Sequence, residues 1–222
     1  MFSKAFTGFL ATSASICTVL QFLAGTLVCR KYIINGTTGD TSGFAFVTCL
    51  ISFWLRYGWM INDFFIIIVN LFGVLLQLGY IAIYTLCCIK KTIILRQFLS
   101  AVLFIAIVYS WSIAEEDKSL ATEHVGILSC GFTILFFASP LTMLAHVIKH
   151  KSADSLPFPV IISSLVVSCQ WFAYGTLIDD LYIQLPNFLG CVLSAFQLSL
   201  FVIFPSKKNG EFVLFKFYFT YH

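Results

Sequence analysis

The sequence predicts an all-α integral membrane protein: seven transmembrane helices, built as two parallel three-helix repeats joined by a linker helix (3+1+3). Composition is the first reason. Hydrophobic residues make up 59% of the 222 and charged residues 10%, with a mean hydropathy of +0.95, whereas a soluble domain carries about a quarter charged residues. The second is a set of seven apolar stretches, roughly 6–29, 43–61, 64–88, 98–114, 124–148, 157–178 and 182–204, each near the ~20 residues that cross a bilayer as a helix. The third is an internal repeat: Trp54–Tyr80 recurs 117 residues later as Trp171–Gln197, with nine of 27 positions identical.

Those identities include Trp54/Trp171, Tyr57/Tyr174, Gly58/Gly175, Asp63/Asp180, Asn70/Asn187 and Gly73/Gly190, residue types that chance would not pair in so apolar a chain. Duplication of a small membrane unit is the mark of carriers with one site between two halves. The stretches read as helices because backbone groups in lipid must pair within a helix or a closed barrel, and none alternates with the period of two that a barrel strand requires.

Short polar breaks separate the stretches. Gly36–Ser42 is a glycine-containing loop, Asn62-Asp63 and Asp179-Asp180 are tight turns, Glu115–Lys118 is an acidic loop and Lys149–Ser155 a basic one; Asp and Asn favour turns and tolerate left-handed backbone. The first stretch has neither a basic n-region nor a small-residue cleavage site, so it is expected to be a retained span. The expected division is 1–92 for the first repeat, 93–118 for the linker, 119–205 for the second repeat and 206–222 for an aromatic tail.

Charge sets the expected orientation. Arg30, Lys31, Lys90, Lys91, Arg96, Lys149, Lys151, Lys207, Lys208 and Lys216 fall on one side, Lys4, Arg56 and Lys118 on the other. The basic side is expected in the cytosol, with the N-terminus outside and the C-terminus inside. The sequon Asn35-Gly36-Thr37 then faces the cytosol, where it is not glycosylated. One linker helix inverts the chain between two three-helix units and so makes them parallel.

Several classes are excluded or disfavoured. A net charge of +3 leaves no footprint for nucleic acid. Eight scattered cysteines and four scattered histidines (124, 146, 150 and 222) form no ligand cluster, so no metal, no cofactor and no catalytic residue is expected, and the chain does not read as an enzyme. All ten carboxylates are expected in loops or at helix ends, away from the mid-span positions that proton or cation coupling uses.

Depth singles out the chemistry. Asn70 and Asn187 lie seven residues beyond Asp63 and Asp180, ~10 Å along a helix rising 1.5 Å per residue, and Trp54 and Trp171 approach the same layer from the preceding helix. An unpaired amide in lipid costs several kcal/mol, so both asparagines should face the bundle interior. Carboxamides offer donors and acceptors to a polyol and indoles offer flat apolar faces to a sugar ring. Packing alone would account for a single Asn or Trp; a doubled pair at matched depth points to a substrate site. Tyr57, Asp63, Tyr174 and Asp180 form a second duplicated set, a candidate extracellular gate with a turn cap beside a belt aromatic as the alternative. Pro140 and Pro157 are candidate hinges.

The stretches Trp54-Leu55-Arg56-Tyr57-Gly58…Asp63…Val69-Asn70…Gly73 and Trp171-Phe172-Ala173-Tyr174-Gly175…Asp180…Pro186-Asn187…Gly190, with Ala138-Ser139-Pro140-Leu141 and Lys151–Pro157, resemble the SWEET sugar transporters over about residues 6–205, and the variant of the first repeat is animal-like. The resemblance implies a bidirectional uniporter for mono- or disaccharides working by alternating access, with the Asn and Trp pairs contacting sugar, the Tyr/Asp positions forming the outer gate and prolines acting as inner hinges. It also implies homo-oligomers in the plasma membrane or the Golgi. It implies prolines at positions 25 and 43, where this chain carries Gly25 and Gly43. Two large indoles favour a monosaccharide such as glucose over a disaccharide. The competing readings are a PQ-loop-type solute carrier, although no Pro-Gln dipeptide occurs, and a seven-helix receptor, which the duplication disfavours.

Overall fold

The structure, a computed structural model, describes residues 4–39, 41–43, 46–47 and 53–204; the tail expected at 206–222 lies outside them. The described residues are helical throughout, without strands. In chain order the helices are α1 (Lys4–Leu23), α2 (Gly25–Asn35), α3 (Trp54–Met60), α4 (Phe64–Cys87), α5 (Lys91–Ala114), α6 (Lys118–Phe136), α7 (Ala138–His150), α8 (Phe158–Leu177) and α9 (Leu181–Ile203). Six runs among them are long and apolar enough to cross a membrane, α1–α2 and α6–α7 each counting as one; the second span is described at its α3 end.

The arrangement is 3+1+3, with α5 as the linker. Both repeats point the same way, because the turns before α4 and α9 meet at one end of the bundle, called here the aspartate end; the opposite, basic end carries Lys90 and Lys149. Side chains such as Leu75, Leu86, Ile107 and Val202 stand exposed on the outside, as lipid-facing residues do.

The core is divided. Towards the aspartate end one cluster draws on both repeats and the linker: Ala11, Ala14, Phe53, Tyr57, Ile66, Val69, Val108, Val125, Trp171, Tyr174 and Ile183. At the basic end there are two separate clusters. Tyr32, Val47, Ile81, Tyr84, Cys88, Ile94 and Ala101 hold the first repeat to the linker, and Leu144, Val147, Ala153, Leu156, Ile161 and Leu200 belong to the second repeat alone. Burial is the main stabilising term in packing, so the halves share one core at the aspartate end and have separate cores at the other.

Three boundaries differ from the sequence expectation. The first span runs on to Asn35 past Arg30 and Lys31, the linker helix starts at Lys91 rather than 98, and α6 starts at Lys118 rather than 124. Apolar runs mark where a helix meets lipid; the helix itself continues into the polar layer. Glu123, expected in a loop or at a helix end, is therefore an exposed residue in the second turn of α6. Arg56 donates from Nε to Ser112 Oγ at 2.8 Å and from Nη2 to Ser112 O at 3.3 Å, tying α3 to the linker's last turn, where a cation is favoured by the helix dipole.

Candidate functional site

The duplicated turns come first, because they fix everything below them. Asn62 and Asp179 are left-handed, with φ of 55° and 58°, a conformation that Asn and Asp tolerate better than most residues. The next residue's N–H then closes the preceding helix, Asp63 N to Gly58 O and Asp180 N to Gly175 O, both at 2.9 Å. A Cβ on Gly58 would come within 2.7 Å of Ile66 Cγ2, and one on Gly175 within 3.0 Å of Ile183 Cγ2, so glycine is what lets consecutive helices close up at this point.

Asp63 and Asp180 then cap α4 and α9: Asp63 Oδ1 accepts from Ile66 N at 3.0 Å, and Asp180 Oδ1 from Tyr182 N and Ile183 N at 2.9 and 3.2 Å. The second oxygen of each reaches across the molecule. Tyr57 OH donates to Asp180 Oδ2 at 2.7 Å, and Tyr174 OH donates to Asp63 Oδ2. The sequence paired each tyrosine with the aspartate of its own repeat; in space the pairs are exchanged, and two charge-assisted bonds bridge the halves.

One layer deeper, Asn70 Nδ2 donates to Ile66 O at 2.9 Å and Asn187 Nδ2 to Ile183 O at 2.8 Å. These bonds fix both carboxamides towards a cavity of about 180 Å³ whose walls also include Trp54 and Trp171. All four residues picked from the sequence thus meet in one chamber between the halves. Among the described residues no carboxylate, lysine, arginine or histidine lines it.

The indoles are locked by partners that the sequence reading missed. Trp54 Nε1 donates to Thr133 Oγ1, and Trp171 Nε1 to Thr18 Oγ1, both at 2.9 Å. Each threonine hydroxyl in turn donates to the carbonyl four residues back, Thr133 to Ser129 O and Thr18 to Ala14 O. Both of these tryptophans are therefore held by the opposite half, with the N–H already used, so that each offers the chamber a ring face. A faint signal was available: stepping 115 residues rather than 117 aligns Thr18 with Thr133, Leu20 with Leu135 and Phe22 with Phe137.

A second cavity of about 450 Å³ shares Phe22, Trp54, Asn70 and Thr133 with the first and reaches towards the basic end as far as Gly25, Phe46 and Tyr80.

Comparison with known proteins places this geometry. A family model described as "Sugar efflux transporter for intercellular exchange" matches residues 8–92 and 123–209. "Sugar transporter SWEET1" of Drosophila pseudoobscura pseudoobscura is 45% identical over 204 residues, covering 90% of each chain. The chain belongs to the SWEET family. "Sugar transporter SWEET1" of Caenorhabditis elegans is 32% identical, covering 91% of this SWEET and 67% of its relative. The solved structure of a eukaryotic SWEET transporter superposes with a TM-score of 0.80 at 26% identity, covering 90% of this chain and 98% of that one.

The four candidate hinge positions of this SWEET are built in two ways. In the second repeat, Pro140 is the third residue of α7 and Pro157 precedes α8. Pro140 has no N–H to return to Phe136 O, so the span breaks at Phe137. In the first repeat the break falls at Ala24, without proline, and Gly25 opens α2. Tyr80 OH donates to Phe22 O at 2.9 Å and lies 2.9 Å from Thr26 Oγ1, and Tyr84 OH donates to Thr41 O at 2.7 Å. A Cβ on Gly25 would lie 2.5 Å from Tyr80 Cε2, and one on Gly43 2.6 Å from Tyr84 Cε1. The glycines make room for two tyrosine rings.

Proposed function

We propose that this SWEET is a passive, bidirectional carrier of a neutral monosaccharide, held between the carboxamides of Asn70 and Asn187 and the ring faces of Trp54 and Trp171. The observation that carries the reading is the uncharged, amide-and-indole chamber between two parallel repeats. Two amides present donors and acceptors for hydroxyls, and two immobilised ring faces suit the C–H face of a pyranose. With no ionisable side chain among the described residues of its wall, the chamber offers nothing to couple transport to protons, so flux follows the sugar gradient. Rigid placement of the contacting groups limits the ordering cost of binding.

The crossed Tyr57–Asp180 and Tyr174–Asp63 bonds are an extracellular gate, here closed. Joined cores at that end, separate cores at the other and a cavity continuing towards the basic end support an inward-facing conformation. Alternating access then consists of breaking the crossed bonds and bringing the two basic-end clusters together, with Gly25, Gly43, Pro140 and Pro157 as hinges. The excess of Lys and Arg at the basic end supports a cytosolic placement for it. Residence in the plasma membrane or the Golgi, and assembly as a homo-oligomer, are supported by family membership.

Uptake of radiolabelled glucose in cells lacking hexose carriers tests the reading. Uptake should not change when the proton gradient is collapsed. Asn187→Ala removes a hydrogen-bonding group whose net worth is ~1–1.5 kcal/mol, so uptake should fall about tenfold at unchanged surface expression. Wild-type rates in that variant would remove the site assignment.

A further inference from the structure

The larger cavity is not duplicated, although the protein is. Its α4 wall is the stripe Asn70, Gly73, Gln77 and Tyr80, which puts Gln77 two helical turns, ~10 Å, from Asn70 towards the basic end. The residue matching Gln77 in the second repeat, Ser194, is buried and lines neither chamber. Phe46, packed against Tyr80 with ring centroids 5.8 Å apart, and Phe136 of α6 also line it. Their counterparts by the same repeat steps are Ser163 and Gln21, which are joined by a hydrogen bond from Gln21 Nε2 to Ser163 Oγ at 3.2 Å, Gln21 also lining the larger cavity. Where the counterpart positions are tied together by polar groups, the larger cavity thus has two aromatic rings and the Gln77 amide in its lining.

Gln77 Oε1 is shielded from solvent and has no protein donor. A buried acceptor left without a donor costs ~1–3 kcal/mol, and its terminal torsion is broad enough to turn the oxygen to a hydroxyl entering the chamber. Apolar rings together with an amide repeat the combination of groups that lines the central site. The volume, about 450 Å³ against about 180 Å³, leaves room for a whole ring beside one already in the centre.

We propose that this chamber is a second, basic-end sugar subsite centred on Gln77, which holds a neutral pyranose between the central site and the cytosol. The proposal rests on the transport reading above and concerns a different set of side chains. Equilibrium binding of tritiated glucose to the purified full chain tests it. Asn187→Ala, which touches only the central chamber, should keep one saturable component. Adding Gln77→Met, similar in shape but without the amide, should weaken that component at least tenfold, whereas Gln77→Glu in the same background, which keeps an acceptor, should retain it. Gln77→Met alone should leave central binding in place. Phe136→Ala removes a lining ring and should cause the same loss, so the test survives a Gln77 variant that does not fold. The proposal is overturned by an Asn187→Ala protein with no saturable binding, or by a component that persists through both Gln77→Met and Phe136→Ala. If Asn187→Ala instead leaves the whole isotherm unchanged, the central assignment fails, and the Gln77 arms still decide the subsite.

Discussion

The first and second repeats make the same bend with different chemistry. In the second, Pro140 breaks the α6–α7 span from within, since its ring removes a backbone donor wherever it is placed. In the first, the break at Ala24 is held from outside, by a Tyr80 hydroxyl on the Phe22 carbonyl and by its ring against Gly25. The matching residue of the second repeat is Gln197, and Phe201 matches Tyr84. A break set locally and a break set by tertiary contacts therefore occupy matching positions of the two repeats. The pairing teaches that glycine at positions 25 and 43 is one half of a two-residue exchange, with an aromatic on α4 as the other half.

The ends of the molecule differ in how well the symmetry survives, and mutation can separate them. At the aspartate end the halves are equivalent, so Tyr57→Phe and Tyr174→Phe should have equal effects. Each removes a hydrogen bond to a charged acceptor worth ~1.5–3 kcal/mol from the proposed gate, and accessibility from the aspartate side, read by labelling of a cysteine introduced in the chamber, should rise about tenfold in both. A large inequality would show that the symmetry fails there too. At the basic end the halves should respond differently. Gly25→Pro drives a Cβ into Tyr80 and should cost ~1–3 kcal/mol, as overpacking does, seen as a lowered unfolding temperature. Combined with Tyr80→Gln, the second repeat's own residue, most of that loss should return; additivity of the two changes would refute the exchange. Tyr80→Phe keeps the ring and strands the Phe22 carbonyl, costing ~1 kcal/mol. Pro140→Ala should have the smallest effect on stability, because it restores a helix donor, yet it should slow glucose uptake several-fold by stiffening the second hinge.

Much of this was legible before the structure. The spans, the 3+1+3 order and the layer holding Asn70, Asn187, Trp54 and Trp171 follow from hydropathy, repetition and helical rise, all of which are local quantities. The crossed Tyr57–Asp180 and Tyr174–Asp63 pairs were not, because repetition identifies equivalent residues and not which equivalent a side chain reaches. Thr18 and Thr133 stayed hidden because the repeat slips by two residues between the first and second helices of each unit. Gln77 was hidden for the opposite reason: it differs from its counterpart Ser194, so a search for identities passes over it. The helix starts at Lys91 and Lys118 were misplaced because hydropathy registers lipid, not backbone hydrogen bonds.

Asp63 and Asp180 each start a helix with one oxygen and receive a tyrosine with the other. The receiving groups are thereby mounted on helix ends already fixed by backbone bonds, and no floppy segment has to be immobilised when the two sides meet. Ordering a loop costs ~1–2 kcal/mol for each residue fixed, and a contact made between helix ends avoids that cost. The proposed latch would then act as a docking of two stiff bodies, able to release and re-engage without any part of the chain having to refold.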